Sequence, residues 1–355
     1  MQGTKYKYAL VDLSYMLHRN CFAMSARANN EPGKYTEGDV IRTTLQTLNK
    51  LSKTWGITTD KIIMIYDKWD PQWQGYYTTY LLGGEYKDDR GDLEDEKGKG
   101  KPVYMTKELF EQMKNDPNVS PDELDEAYKK LYFNEVKYKA KWGMIKELGN
   151  FGIPSFGVDG WEFDNLAWLA TGMLYDDTPG AKPSIIVTKD SDLQYALSPQ
   201  MDYFKLPTKG SNPEIITYDK MFQTIPDSLK GTLSLYDYKS YLDAMGEGHN
   251  GMRKTRKAYT NPETVIHHVL AGDYSDLDDV DLFKKQLSTF NLGNFPRLQE
   301  AQRIITDLFP NSGRLGSLQE FNAFKAKYGI GGPEVYMTDQ WFVNYISKFD
   351  PALYS

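Results

Sequence analysis

Short apolar runs alternate with longer stretches of helical spacing through the first two thirds of the chain. Tyr6–Leu13 (YKYALVDL), Lys61–Tyr66 (KIIMIY) and Ser184–Thr188 (SIIVT) are aliphatic and too short for helices, so each predicts a buried strand. Thr36–Trp55 places Val40, Ile41, Leu45, Leu48 and Leu51 close to helical spacing. Met105–Lys114 and Asp122–Leu148 also read as helices. The second carries Leu124, Ala127, Leu131, Val136, Ala140, Met144, Ile145 and Leu148 on one side, and Lys129, Lys130, Lys137, Lys139 and Lys141 on the other. Phe151–Phe156 predicts a further strand, Leu166–Leu174 an apolar helix, and Met201–Leu206 with Glu214–Tyr218 a hairpin-like pair at a sheet edge. Beyond Tyr218 the strands stop. Asn261 and Pro262 open a helix, Glu263–Leu270, that ends at Gly272, and amphipathic helices follow with one break at Gly329–Pro333. Strands separated by helices predict an α/β fold with a mostly parallel sheet.

The strands share a second feature. Asp12, Asp67 and Asp190 stand at the ends of the three apolar runs, and Asp192 follows two residues after Asp190. Glu162 and Asp164 stand at the start of the Leu166–Leu174 helix. Capping accounts for any one of these acids: Ser14 and Asp192 are candidate N-caps, and the helix dipole favours acids in a first turn. Capping explains three strand endings less well. In an open α/β sheet the crevice beyond the carboxyl ends of the strands is where ligands bind. Acids gathered there repel one another unless they hold a cation.

Composition narrows the picture. The chain has 355 residues, 40% hydrophobic and 14% aromatic, enough for a sizeable core. Cys21 is the single cysteine, so no intramolecular disulfide forms, and a reducing cytoplasm is expected. No apolar run approaches a membrane span, and the N-terminus lacks a signal-peptide core. A net charge of −7 argues against a nucleic-acid partner on its own, although metal-binding acids lower net charge while local basic patches survive. One such patch is Met252–Lys257 (MRKTRK), which contains Arg253 and Lys254. Trp69–Lys101 departs from the core pattern. It holds Trp69, Trp73, Tyr76, Tyr77, Tyr80 and Tyr86, then Lys87 and Arg90, then a Gly- and Lys-rich run, and so predicts an excursion from the domain. The lysine-rich helix face reads first as solvated, and second as a surface for a phosphate backbone.

The order of these motifs resembles the 5′-nuclease (flap endonuclease) family, nearest to the phage 5′-to-3′ exonucleases and the T-even phage ribonuclease H. It runs from a strand ending in Asp12 to a strand ending in Asp67 followed by YKxxR (Tyr86, Lys87, Arg90). GxExD (Glu162, Asp164), DxD (Asp190, Asp192) and GDxxD (Asp273, Asp276) follow, so the likeness covers about residues 6–285. The fold it implies is a PIN-like, mostly parallel sheet with helices on both faces. A nuclease domain over 1–218 would carry a helical arch inserted at about 69–148. A helical region, 219–355, would bind duplex DNA with a degenerate helix-three-turn-helix, because Leu277, Asp278 and Asp279 replace the usual glycine-rich turn.

The same resemblance implies a chemistry. Two Mg²⁺ ions, replaceable by Mn²⁺, would be held by oxygen ligands alone, roughly 3.5–4 Å apart, and would assist in-line attack on a phosphodiester. Asp12, Asp67, Glu162 and Asp164 would form one site, and Asp190, Asp192 and Asp273 the other. Lys87 and Arg90 would act catalytically on the scissile phosphate. Tyr86, Lys87, Arg90, Arg253, Lys254 and Asp276 would contact nucleic acid. The implied substrates are DNA with a 5′ flap or single-stranded 5′ end and RNA–DNA hybrids, processed by a monomer in the cytoplasm of a phage-infected host during DNA replication. A single-stranded-DNA-binding protein or a sliding clamp would be the implied protein partners.

Other readings compete. A PIN-type endoribonuclease shares the acidic sheet edge but is usually shorter and lacks the long excursion. A non-catalytic replication scaffold is opposed by the presence of all seven acids. An α/β phosphatase needs DxD on its first strand, where this chain has Asp12, Leu13 and Ser14.

Overall fold

The computed structural model describes residues 6–55, 57, 61–68, 105–148, 153–176, 178, 181, 183–206, 213–247, 252–295, 297–308 and 318–330. Its strands form an α/β sheet in the order β3-β2-β1-β4-β5-β6. β1 runs parallel to β2, β2 to β3 and β4 to β5, while β6 is antiparallel to β5. Contacts divide the chain into two compact units. One comprises residues 1–66, 102–156 and 307–355; the other comprises 67–101 and 157–306.

In the first unit, β1 (Ala9–Asp12) leads directly into α1 (Leu13–Arg27), and α2 (Glu37–Trp55) leads to β2 (Ile62–Ile65). The β1 and β2 registers align Ala9 with Ile62 and Asp12 with Ile65. Every residue of both strands is buried, as expected of parallel strands covered on two faces. β3 (Ser155–Phe156) extends this parallel set from β2. The helices α3 (Lys107–Asn115) and α4 (Pro121–Leu148) complete the unit. Val136, Ala140 and Met144 of α4 are buried, and α4 packs against α1 and α2. The second half of this long helix is therefore core. Its predicted solvated lysine face is only partly so: burial lowers the Lys137 pKa, and Lys141 lies over the Tyr66 ring. The candidate cap also changes. Asp12, not Ser14, caps α1 by accepting from Tyr15 N at 2.8 Å.

The second unit contains α5 (Phe163–Met173), β4 (Ser184–Thr188), a 3-10 turn over Ser191–Ala196, β5 (Met201–Lys205) and β6 (Glu214–Ile216). Its helices are α6 (Tyr218–Phe222), α7 (Leu235–Ala244), α8 (Pro262–Leu270), α9 (Val280–Ser288) and α10 (Leu298–Leu308). In the first unit, α11 (Leu318–Lys327) follows. β4 is wholly buried, whereas β5 alternates, so coverage thins toward the antiparallel edge.

Local chemistry sets the helix ends. Ser234 and Asp237 form a reciprocal capping box at α7. Asn261 caps α8 with Pro262 at its first position, as the sequence predicts. Gly272 ends that helix at φ +82°, a region open to glycine. Gly246 has φ +77°, and a Cβ there would stand 2.7 Å from Arg253 O, so only glycine lets the basic stretch lie against the end of α7.

Candidate metal centre

β4 delivers its acids through a turn rather than a helix. Asp190 caps the 3-10 turn by accepting from Asp192 N at 3.0 Å, which corrects the expectation that Asp192 is the cap. This bond folds the two carboxylates into one turn. The turn packs against α5 and α7. From α5 comes Glu162 at the N-cap position and Asp164 in the first turn. Glu162 makes no capping hydrogen bond with its own side chain. Asp67 supplies that bond instead, accepting from Phe163 N at 2.7 Å across 96 residues of sequence. Lys68, the next residue, is bridged to the segment before Glu162 through Gly160 N to Lys68 O at 2.8 Å and Lys68 N to Trp161 O at 3.2 Å. Lys68 and Arg297 both pair with Asp159, and these cations, Lys68 foremost, hold its carboxyl below the usual range.

The charges act on one another. Asp190 keeps solvent on one side, but protein packed on the other raises its pKa above the usual carboxylate range. The charges of Asp192 and Glu162 push the same way, while the bond from Asp192 N and the ammonium of Lys239 oppose them. Lys239, on α7, lies 3.5 Å from Asp192 Oδ1 and pairs with Asp243 one turn along its own helix. Lys239 and Asp243 are both buried. Sequence reasoning missed them: a Lys and an Asp four residues apart on an amphipathic helix look like an ordinary surface pair.

The remaining predicted residues are distributed as follows. Asp12 is buried at the end of β1 in the first unit. Asp273 lies just beyond α8, where the hydrogen bond from Ser275 N at 2.9 Å holds its carboxyl below the usual range. Asp276 pairs with His268 Nδ1 at 2.6 Å. Asp279 caps α9, so α8 and α9 form two helices around this loop. Within the basic stretch, Arg253 and Lys254 are exposed. Arg256 is taken up internally by Glu247 at 2.7 Å and Thr260 O at 2.6 Å, and Lys257 by Ser275 O at 2.6 Å. Tyr86, Lys87 and Arg90 lie outside the described residues.

Among the described residues no three His, Cys, Asp or Glu side chains stand gathered to hold a metal ion. The chemistry of the donor set nevertheless fits one. It is all oxygen, which suits a hard divalent cation, and Asp190, whose pKa is raised first by burial and then by the neighbouring charges of Asp192 and Glu162, carries a cost that such a cation relieves. No described helix is long and apolar enough to cross a membrane.

No family model and no curated protein matches the chain. Among solved structures it is similar to the 5′-exonuclease of bacteriophage T5 with bound zinc ions. That match has 15% identity and a TM-score of 0.42, over 96% of this chain and 98% of that one. A flap endonuclease variant of the same phage, in a pseudo-enzyme–product complex with DNA and metal ions, gives 15% identity and a TM-score of 0.43 over the same shares.

Proposed function

We propose that this chain is a divalent-metal-dependent 5′ nuclease that hydrolyses phosphodiesters at 5′ flaps, single-stranded 5′ ends or RNA primers during phage DNA replication. The observation that carries the reading is the acidic turn after β4. Asp190 and Asp192 are folded together at the carboxyl end of a parallel strand, and Glu162 is close enough for its charge to raise the Asp190 pKa. Such an arrangement is costly unless it serves a cation.

Within the second unit, Asp67, Glu162 and Asp164 would hold one Mg²⁺, and Asp190, Asp192 and Asp273 a second. When bound, the ions supply neutralisation of the charge that grows on the phosphate. The chain's own groups do the rest. Asp67, through Phe163 N, fixes the α5 terminus that presents Glu162 and Asp164. Lys87 and Arg90 would steer the scissile phosphate, Arg90 with the geometry for two parallel hydrogen bonds. Exposed Arg253 and Lys254, with the loop between α8 and α9 that holds Asp276, would track a duplex backbone, and Tyr86 would stack on a base.

The test uses end-labelled substrates: a 5′ flap, a nicked duplex and an RNA–DNA hybrid, each with Mg²⁺ and with EDTA. Metal-dependent release of short 5′ products is expected. Binding without cleavage in Mg²⁺ or Mn²⁺ would replace this reading with a scaffold, and cleavage of single-stranded RNA alone with a PIN-type ribonuclease.

A further inference from the structure

The acidic turn has a cation already built in. Among the described residues, the Asp192 carboxylate meets one cationic partner, Lys239, at 3.5 Å. Lys239 is buried, and Asp243, with 1% of its surface exposed, holds it from below. The Tyr195 ring, from the same 3-10 turn as Asp192, lies 5.7 Å from its ammonium. A surface lysine would swing freely between acids. This one is confined by burial, by Asp243 and by the ring, so its position is set by the fold.

We propose that Lys239 is a positioning residue that sets how tightly the Asp190–Asp192 turn binds a divalent cation, with Asp243 tuning its strength. The inference rests on the nuclease reading above. Lys239 holds Asp192 in place while no metal is bound, and competes with the metal for the same carboxylate. Asp243 limits that competition by sharing the lysine's charge. The two side chains therefore act on the metal with opposite sign.

That opposition gives the test. Mn²⁺ binding to the full chain is measured by titration calorimetry at fixed pH and ionic strength, with circular dichroism confirming the fold. Asp243→Asn leaves the lysine charge unshared, so Mn²⁺ binds roughly tenfold more weakly. The double variant Lys239→Gln with Asp243→Asn removes both charges and keeps a hydrogen-bonding pair, so Mn²⁺ binds at least as tightly as in the wild type. A purely structural pair would move both variants the same way. If Asp243→Asn does not fold, the double variant decides alone: weakened Mn²⁺ binding overturns the proposal. Wild-type cleavage with both variants binding Mn²⁺ normally overturns it too and leaves the nuclease reading standing. A wild type that neither binds Mn²⁺ nor cleaves removes that reading, and this inference with it.

Discussion

Asp67 is expected to do two jobs that substitution can separate. Its Oδ1 accepts from Phe163 N at 2.7 Å, at a helix end whose own N-cap, Glu162, offers no side-chain bond. Asp67→Ala deletes that acceptor and leaves the first N–H of α5 without it. Loss of an N-cap costs about 0.5–2 kcal/mol, and a hydrogen bond to a charged group is worth about 1.5–3 kcal/mol. Asp67 is half-buried, so water replaces part of the lost bond, and about 1–2 kcal/mol is expected. For a folding unit of this size, each kcal/mol moves Tm by about 2–4 °C, giving a fall of about 2–8 °C. Asp67→Asn keeps an oxygen in the same place and loses the charge, so its Tm should stay within about 1–2 °C of wild type. The melts are followed by circular dichroism in EDTA, so that no bound metal contributes. In a flap-cleavage assay with Mg²⁺, both variants should be inactive. The reasoning fails if Asn destabilises as much as Ala, or if Ala does not destabilise at all. Full cleavage by Asp67→Asn would remove Asp67 from the metal set while leaving its capping role intact.

Asp190→Asn should abolish cleavage and leave flap binding nearly unchanged. It should also raise the Tm of the metal-free protein at pH 7.5. The folded pKa of Asp190 is raised, so ionising it costs stability at neutral pH, and that cost vanishes as pH falls through the raised value. The gain over wild type should therefore shrink in acid, and a constant gain would contradict the sign. Cys21 is buried, donates to Phe133 O and has its pKa pushed up to about 12 by burial. At pH 8 its thiolate fraction is about a ten-thousandth, so labelling by a thiol reagent should run about a thousandfold slower than for a free thiol. Fast labelling of native protein would show that α1 and α4 open readily there. Lys87→Ala should slow turnover far more than it weakens DNA affinity, and loss of affinity alone would demote it to a backbone contact. DNA binding should weaken as salt rises through counterion release, and a flat response would count against a phosphate-tracking surface.

Much of the architecture is written locally. The aliphatic runs at Ala9, Ile62 and Ser184 read as buried strands because they are shorter than a helix, rich in β-branched residues and bounded by polar ones. The Asn261–Pro262 start and Gly272 stop of α8 depend on backbone preferences that travel with the residues themselves. The acidic ends of β1, β2 and β4 were legible for the same reason, since Asp12 closes β1 and Asp67 and Asp190 each stand two residues beyond β2 and β4. Where those acids point was not. Whether Asp12 or Ser14, Asp190 or Asp192 caps the following element depends on the angle at which the chain leaves the strand, which packing decides. The capping of α5 by Asp67, and the contact of Lys239 with Asp192, join segments 96 and 47 residues apart in sequence. Period and propensity report on neighbours within a turn or two. A hydrogen bond or a buried charge pair between distant segments exists only once the hydrophobic cores have brought them together, and the tertiary structure alone decides it.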